Sequence, residues 1–354
     1  MLRCNHAPKP TESLSTRLGL QGLQGYFQHV TTCDLAIIGA GPAGLYAAYY
    51  AGFRGFCVAV IDALPEPGGQ ISAMYPEKEI FDIAGFPQVK GRDLVDGLLK
   101  QANAFSPAMY MNENVTGLVA DADGVTLTSE SGITVRAKAV LITAGIGAFS
   151  PRPLPVGMEW LGKGLVHFVP KLAEHANKDI VIVGGGDSAF DWAYSLQPIA
   201  KSVTIVHRRD AFRAHAATVE QVKKMGVELI TSAEVTAVSG NTHVESVTVT
   251  LKETGESRTL PAQTIVAALG FVANIGPISQ WGIELEKRHI KVNSSMQTSL
   301  PRVFAAGDIT TYEGKVPLIA VGFGEAALAV NNAAPYINPE FGVFPGHSSG
   351  GSGE

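Results

Sequence analysis

Asp34-Leu-Ala-Ile-Ile-Gly39-Ala-Gly41-Pro-Ala-Gly44 is the stretch from which the rest of the chain can be read. The apolar run before Gly39 reads as a buried strand, and a G-x-G-x-x-G spacing then turns the chain into a helix that runs to about Gly52. Gly39 permits the tight turn, Gly41 lets backbone approach a pyrophosphate, and Gly44 lets helix and strand pack closely. The free N–H groups at the helix start favour the anion. A second strand comes next, Cys57–Ile61, and Asp62 at its end is placed to accept hydrogen bonds from the ribose hydroxyls of a dinucleotide.

Further along, the pattern repeats. The strand Asp179–Val183 leads into Gly184-Gly-Gly186-Asp-Ser-Ala189, a helix to about Leu196 and the strand Ser202–Val206. Here His207-Arg208-Arg209 stands where the first copy has its carboxylate. Arginines pair bidentately with a 2′-phosphate, which selects NADP over NAD. Asp187 and Ser188 are expected to satisfy amides at the helix start, and Arg213 to add a further cation. One acidic and one basic ribose end imply FAD on the first turn and NADPH on the second. The chain is then an oxidoreductase that passes hydride from nicotinamide to flavin N5.

Composition bounds this reading. The 354 residues are 46% hydrophobic and 17% charged, enough for a large core and too apolar for wholesale disorder. The 27 basic and 32 acidic side chains give −5, which excludes the basic excess of a nucleic-acid binder. Cys4, Cys33 and Cys57 contain no C-x-x-C pair, so neither a dithiol centre nor a metal site is expected. Leu35–Phe53 is uncharged and long enough to span a membrane, but its glycines and Pro42 fit a strand, a turn and a helix better. Residues 1–33 lack the apolar core of a secretory signal and read as a flexible extension of a cytoplasmic protein.

Strands alternate with helices, which predicts an α/β fold of parallel sheets covered on both faces. Val115–Leu127 with Thr134–Val140, and Glu245–Leu251 with Arg258–Leu260, read as antiparallel meanders. The pattern predicts two Rossmann-like dinucleotide-binding domains, each with a β meander. A discontinuous FAD domain takes 34–150 and 271–340, with the NADP domain, 151–270, inserted. Residues 341–354 form a tail. The crossings at Phe149–Arg152 and Gly270–Asn274 are candidate hinges, and Trp160, Trp192 and Trp281 are expected to be packing residues.

Several segments together carry a specific resemblance: Gly68-Gly-Gln70, Met74-Tyr75-Pro-Glu-Lys78, Phe81-Asp-Ile-Ala-Gly-Phe-Pro87, His207–His215 and Gly307–Lys315. The chain resembles the thioredoxin-reductase-type ferredoxin–NADP reductases from about Asp34 to Ser348. Thr298–Asp308 resembles the second FAD motif of two-dinucleotide flavoproteins, with Asp308 delivered to the ribityl chain. A helix over Leu318–Asn332 would direct its positive end at the flavin. The resemblance implies that Asp62 holds the adenosine ribose, that Gln70 and Tyr75 contact the flavin, and that Tyr75 stacks on one ring face. Gly69, Val115, Phe149, Asp308 and Ser348 fall at further FAD-lining positions, and the tail would cover the flavin through His347. It also implies ferredoxin or flavodoxin as partner, single-electron transfer to it, and a homodimer. Thioredoxin reductases themselves carry a C-x-x-C ahead of the second nucleotide fold, where this chain reads Leu165–Ala176 without cysteine. Another NADPH-linked flavoprotein reductase (a diaphorase or a disulfide-linked enzyme) and a non-catalytic flavin-binding regulator are the alternatives.

Overall fold

The computed structural model describes residues 30–344 and 346. Two sheets organise the chain. The larger has seven strands, with Ala108–Met111, Val58–Asp62, Val30–Ile38, Thr134–Ile142, Val125–Ser129 and Val115–Ala120 in that order and Val303–Ala305 beside Thr134–Ile142. Its central pairs are parallel, and its last three strands form an antiparallel meander. Helices α1 (Pro42–Phe53), α2 (Gln70–Met74) and α3 (Gly91–Asn103) belong to this half.

The smaller half holds a five-stranded, all-parallel sheet in the order Leu165–Val166, Thr264–Ala267, Asp179–Val183, Ser202–Val206, Glu228–Ile230. Helices α4 (Asp187–Leu196) and α5 (Ala216–Lys224) lie in this half, together with an antiparallel sheet of Ala233–Gly240, Val244–Leu251 and Ser257–Pro261. The chain then returns to the larger half, where α6, Ile319–Ile337, is the last helix among the described residues.

Both central strands are buried on two faces, which is why they read as continuous apolar runs. Leu35 and Ile37 join the core under α1 and α6, while Ala36 and Ile38 join the core on the opposite side. Ile180 and Ile182 likewise pack toward α4, and Val181 and Val183 toward the antiparallel sheet. Trp192 and Trp281 are buried in these cores, and Trp160 packs against one.

Three expectations are corrected. The first strand begins at Val30, inside the expected extension 1–33, because Val30–Cys33 pair in register with Thr134–Ala137. The segment Val115–Leu127 is two strands, broken where the carboxylate of Asp121 accepts the amides of Asp123 and Gly124. The predicted final helix runs on to Ile337 rather than stopping at Asn332.

The chain passes between halves twice, along Ala148–Pro151 and Phe271–Asn274. These two crossings pair with each other antiparallel, with Phe271 opposite Pro151 and Asn274 opposite Ala148.

Candidate active site

The first glycine turn opens on a cleft of about 560 Å³ in the larger half. Gly39, with φ +110°, leaves no room for a side chain, since a Cβ there would lie 2.5 Å from the carbonyl oxygen of Thr143. A Cβ on Gly44 would overlap the Gly39 carbonyl, so this third glycine serves packing. Gly41 is different. Its Cβ position meets no atom within 4 Å, and the residue lines the cleft at the N-cap of α1. No side chain caps that helix start and no acidic residue sits in its first turn, leaving it open to an anion.

Around this turn the structure gathers Asp62, Gly69, Gln70, Tyr75, Val115 and Asp308. Asp62 Oδ2 accepts the Ala40 amide at 2.5 Å and Oδ1 accepts the Leu64 amide at 2.7 Å, so each oxygen keeps one lone pair for a ligand. Burial raises its carboxyl pKa against the lowering effect of those amides. Burial also raises the Asp308 carboxyl, opposed by Lys315 and reinforced by Glu325. Tyr75 is pushed up to about 12, mainly by burial and then by the charges of Asp308 and Asp82. The phenol is therefore neutral at physiological pH. Glycine-turn backbone and the carboxylates of Asp62 and Asp308 line this one cleft, a set of donors and acceptors that suits a dinucleotide with hydroxyl groups.

Phe149 lies in the crossing strand Ala148–Pro151. Ser348 and His347 lie outside the described residues.

The second turn lies in the smaller half. Gly186 is the N-cap of α4, and the loop after the strand Ser202–Val206 folds back onto the turn. Arg213 N–H donates to the Gly185 carbonyl at 2.8 Å, and His215 N–H donates to Asp187 Oδ1 at 3.0 Å. Asp187 is thus not the helix cap expected from its position: α4 has no side-chain cap, and the returning loop takes the carboxylate instead. Arg208, Arg209 and Arg213 are exposed, and none of the three is ion-paired with a carboxylate among the described residues. His207 does not stand with them. Its ring packs behind Gly185 and 5.5 Å from the Phe212 ring, its Nε2 is buried without a partner, and burial followed by the three arginines lowers its pKa.

A second cavity, about 330 Å³, lies between the halves and is lined by Gln70, Tyr75, His167, Ser188, Asp191 and Phe271 among others. Gln70 and Tyr75 border both cavities, so the cleft of the first turn and the wall that carries α4 meet at these two side chains. The turn preceding α2 holds them there: Gly69 has φ +59°, and a Cβ on it would press on Gly41.

Sequence reasoning missed a buried cluster behind Asp308. Glu325, only 3% exposed, accepts the Gly307 amide at 2.7 Å and the Tyr312 hydroxyl at 2.6 Å and pairs with Lys315. Lys315 Nζ also donates to the Gly307 carbonyl at 3.1 Å. The loop that presents Asp308 is thereby tied to α6. Two signals existed in the sequence, a lone glutamate in an apolar helix and the Tyr312–Lys315 segment, but neither names the other. Thr143, whose hydroxyl donates to Ile38 and Gly39 carbonyls, and Trp281, whose Nε1 donates to Thr116, also border the cleft.

A family model described as pyridine nucleotide-disulphide oxidoreductase matches residues 33–332. The chain belongs to this family. Among curated relatives, a Nocardioides protein named ferredoxin–NADP reductase is 64% identical over 90% of this chain and 97% of its own length. A Frankia alni protein of the same name is 58% identical over 90% of this chain and 99% of its own. Among solved structures, T. acidophilum thioredoxin reductase matches with TM-score 0.73 and 27% identity, covering 85% of this chain and 97% of that one. Lactococcus lactis thioredoxin reductase matches with TM-score 0.72 and 26% identity over 86% of this chain and 99% of that one. The two-turn α/β architecture of this oxidoreductase is therefore that of the thioredoxin-reductase-like flavoproteins. Among the described residues no helix is long and apolar enough to cross a membrane.

Proposed function

We propose that the chain is an FAD-dependent ferredoxin–NADP reductase that moves electrons between NADPH and ferredoxin or flavodoxin in the cytoplasm. The observation that carries this reading is the meeting of two cavities at Gln70 and Tyr75, one opening from a turn with a carboxylate end and one walled by the helix of a turn with an arginine end. Residues 34–150 and 271–340 would bind FAD and residues 151–270 would bind NADPH. The curated relatives' name supports the pairing with ferredoxin.

Bound FAD would supply the exchange between a two-electron hydride and single electrons. The chain's own residues do the rest. The starts of α1 and α4, with Gly39, Gly41, Gly184 and Gly186, would receive pyrophosphates, and Ser188 lines the cavity between the halves. Asp62 and Asp308 would accept ribose and ribityl hydroxyls, and Arg208, Arg209 and Arg213 would receive the 2′-phosphate. Gln70 and neutral Tyr75, which line both cavities, would wall the flavin where nicotinamide approaches, and Val115 and Phe149 would border it. His207 supports the second turn from behind.

A homodimer belongs to the same reading, with His347 and Ser348 covering a flavin. Before those residues, Arg54 donates to the Gly342 carbonyl at 3.0 Å and Phe341 stacks on Phe56 at 6.0 Å, so the described chain runs past the C-terminal end of α1.

A disulfide-linked reductase is the weaker alternative, because the segment Leu165–Ala176 carries no C-x-x-C pair to cycle as a dithiol. The deciding experiment follows NADPH oxidation by the purified flavoprotein under low oxygen with ferredoxin, flavodoxin and thioredoxin-type acceptors. Turnover at least tenfold faster with ferredoxin or flavodoxin is expected. Equal rates with every acceptor, or none, would overturn the proposal.

A further inference from the structure

The segment Tyr75-Pro-Glu-Lys78 contributes its tyrosine to the cleft, but its two charged side chains point elsewhere. Glu77 Oε1 is held from its own half by Arg92, while Glu77 Oε2 accepts the Leu172 amide of the other half at 3.0 Å. Lys78 Nζ pairs with Asp191 Oδ2 at 2.6 Å, also across the divide. Asp191 lies on α4, one turn beyond Asp187 and Ser188, and lines the cavity between the halves together with Lys78. The Lys78 ammonium sits 5.8 Å from the centre of the Tyr75 ring, and Tyr75 itself packs against the cores of both halves.

Mechanically, the paired crossings Ala148–Pro151 and Phe271–Asn274 form a ribbon about which one half can rotate on the other. Fixing one body on another takes contacts at separated points. Glu77 and Lys78 supply two such points, a peptide N–H and a carboxylate, from adjacent residues beside the flavin-facing tyrosine.

We propose that Glu77 and Lys78 are interdomain struts, positioning residues that set how far the α4 turn stands from the Gln70–Tyr75 wall. This rests on the function proposed above. The ion pair is partly exposed, 39% and 28% at the two side chains, so it is a contact of limited strength that salt weakens. The orientation it holds is releasable, as a cleft that must admit and discharge a dinucleotide requires.

The test exchanges the charges in the full-length flavoprotein. Lys78→Asp and Asp191→Lys are each made alone and then together. Each single variant is expected to slow flavin reduction by NADPH at least tenfold, leave the NADPH dissociation constant within twofold, and accelerate amide hydrogen exchange over residues 172–175. The double variant should recover to within about threefold on both readouts. Glu77→Gln, which keeps an acceptor oxygen, should preserve Leu172 protection, and Glu77→Ala should lose it. Unchanged single variants, or a loss that persists in the double variant, would overturn the struts. Exchange is read without NADPH or an acceptor, so it judges the struts even if the proposed reaction proves wrong. Should only the reduction rate fail to respond because NADPH is no substrate, it is the functional reading that falls.

Discussion

Tyr75 and Tyr312 hold their protons for different reasons that lead to one consequence. Tyr75 rises from 10.0 to about 12 chiefly through burial, with Asp308 and Asp82 adding to it. Tyr312 rises to about 12 through burial and through its hydrogen bond to Glu325. Cys33 rises from 9.0 to about 12, again mainly by burial. In each case the neutral form is favoured by the fold, so the folded protein retains a proton that the unfolded chain releases at lower pH. Stability from these groups is full below their unfolded pKa values, about 9 to 10, and is lost as pH rises toward 12. Urea midpoints measured between pH 8.5 and 11.5 should fall steadily. Tyr75→Phe and Tyr312→Phe should each flatten that fall, because neither variant has a phenol to ionise. A wild-type profile that stays level to pH 11.5 would contradict the assignment. For the reaction, the same shifts mean that Tyr75 offers an uncharged ring and hydroxyl across the physiological range.

At the scale of elements, the two turns differ less in their glycines than in the residues after the second strand. Asp62 closes its strand under two backbone amides, whereas the loop from His207 to His215 is drawn onto Gly185 and Asp187 and leaves Arg208, Arg209 and Arg213 outward. Arg208→Ala with Arg209→Ala is expected to raise the KM for NADPH at least tenfold and change that for NADH less than twofold, since only NADPH carries the 2′-phosphate. Steady-state kinetics with both nucleotides checks this, and equal losses would remove the phosphate role. This contrast was legible because glycine spacing, strand length and the residue at a strand's end are all local. Val30–Cys33 were not legible as strand, since two threonines and a cysteine show no apolar run until Thr134–Ala137 pair with them. Asp187 misled because an aspartate at a helix start is ordinarily a cap, and only the tertiary position of His215 redirects it. The Lys78–Asp191 pair was invisible because its partners lie in different halves of the chain, and the Lys315–Glu325 pair was missed because a loop and a helix start separate two signals that do not name each other.

For the whole molecule, the topology gives each half its own core. The smaller half enters after Pro151 and leaves before Phe271, and those two residues face each other in one antiparallel pair. Arg152 N–H also donates to the Gly270 carbonyl at 2.9 Å, so the ends of the inserted segment already lie side by side. Both faces of the seven-stranded sheet are covered by elements of its own half, α1 and α6 on one side and Trp281, Ile283 and Ile290 on the other. Removing residues 152–270 and joining Pro151 to Phe271 through an Asn-Gly turn should therefore leave a protein that folds, because a two-residue hairpin connection suits strands already in register. Its losses are the Leu172 and Asp191 contacts and the face of Tyr75 that packs on the smaller half. The shortened protein is expected to be soluble and to bind FAD with near-stoichiometric content by absorbance. Its NADPH oxidation should fall at least a hundredfold, with or without an acceptor. Insoluble protein, or soluble protein devoid of flavin, would mean that the two halves share one core and that the FAD site is not complete in residues 34–150 and 271–340. Flavin-bound protein that still oxidises NADPH rapidly would instead remove the nucleotide role from the smaller half.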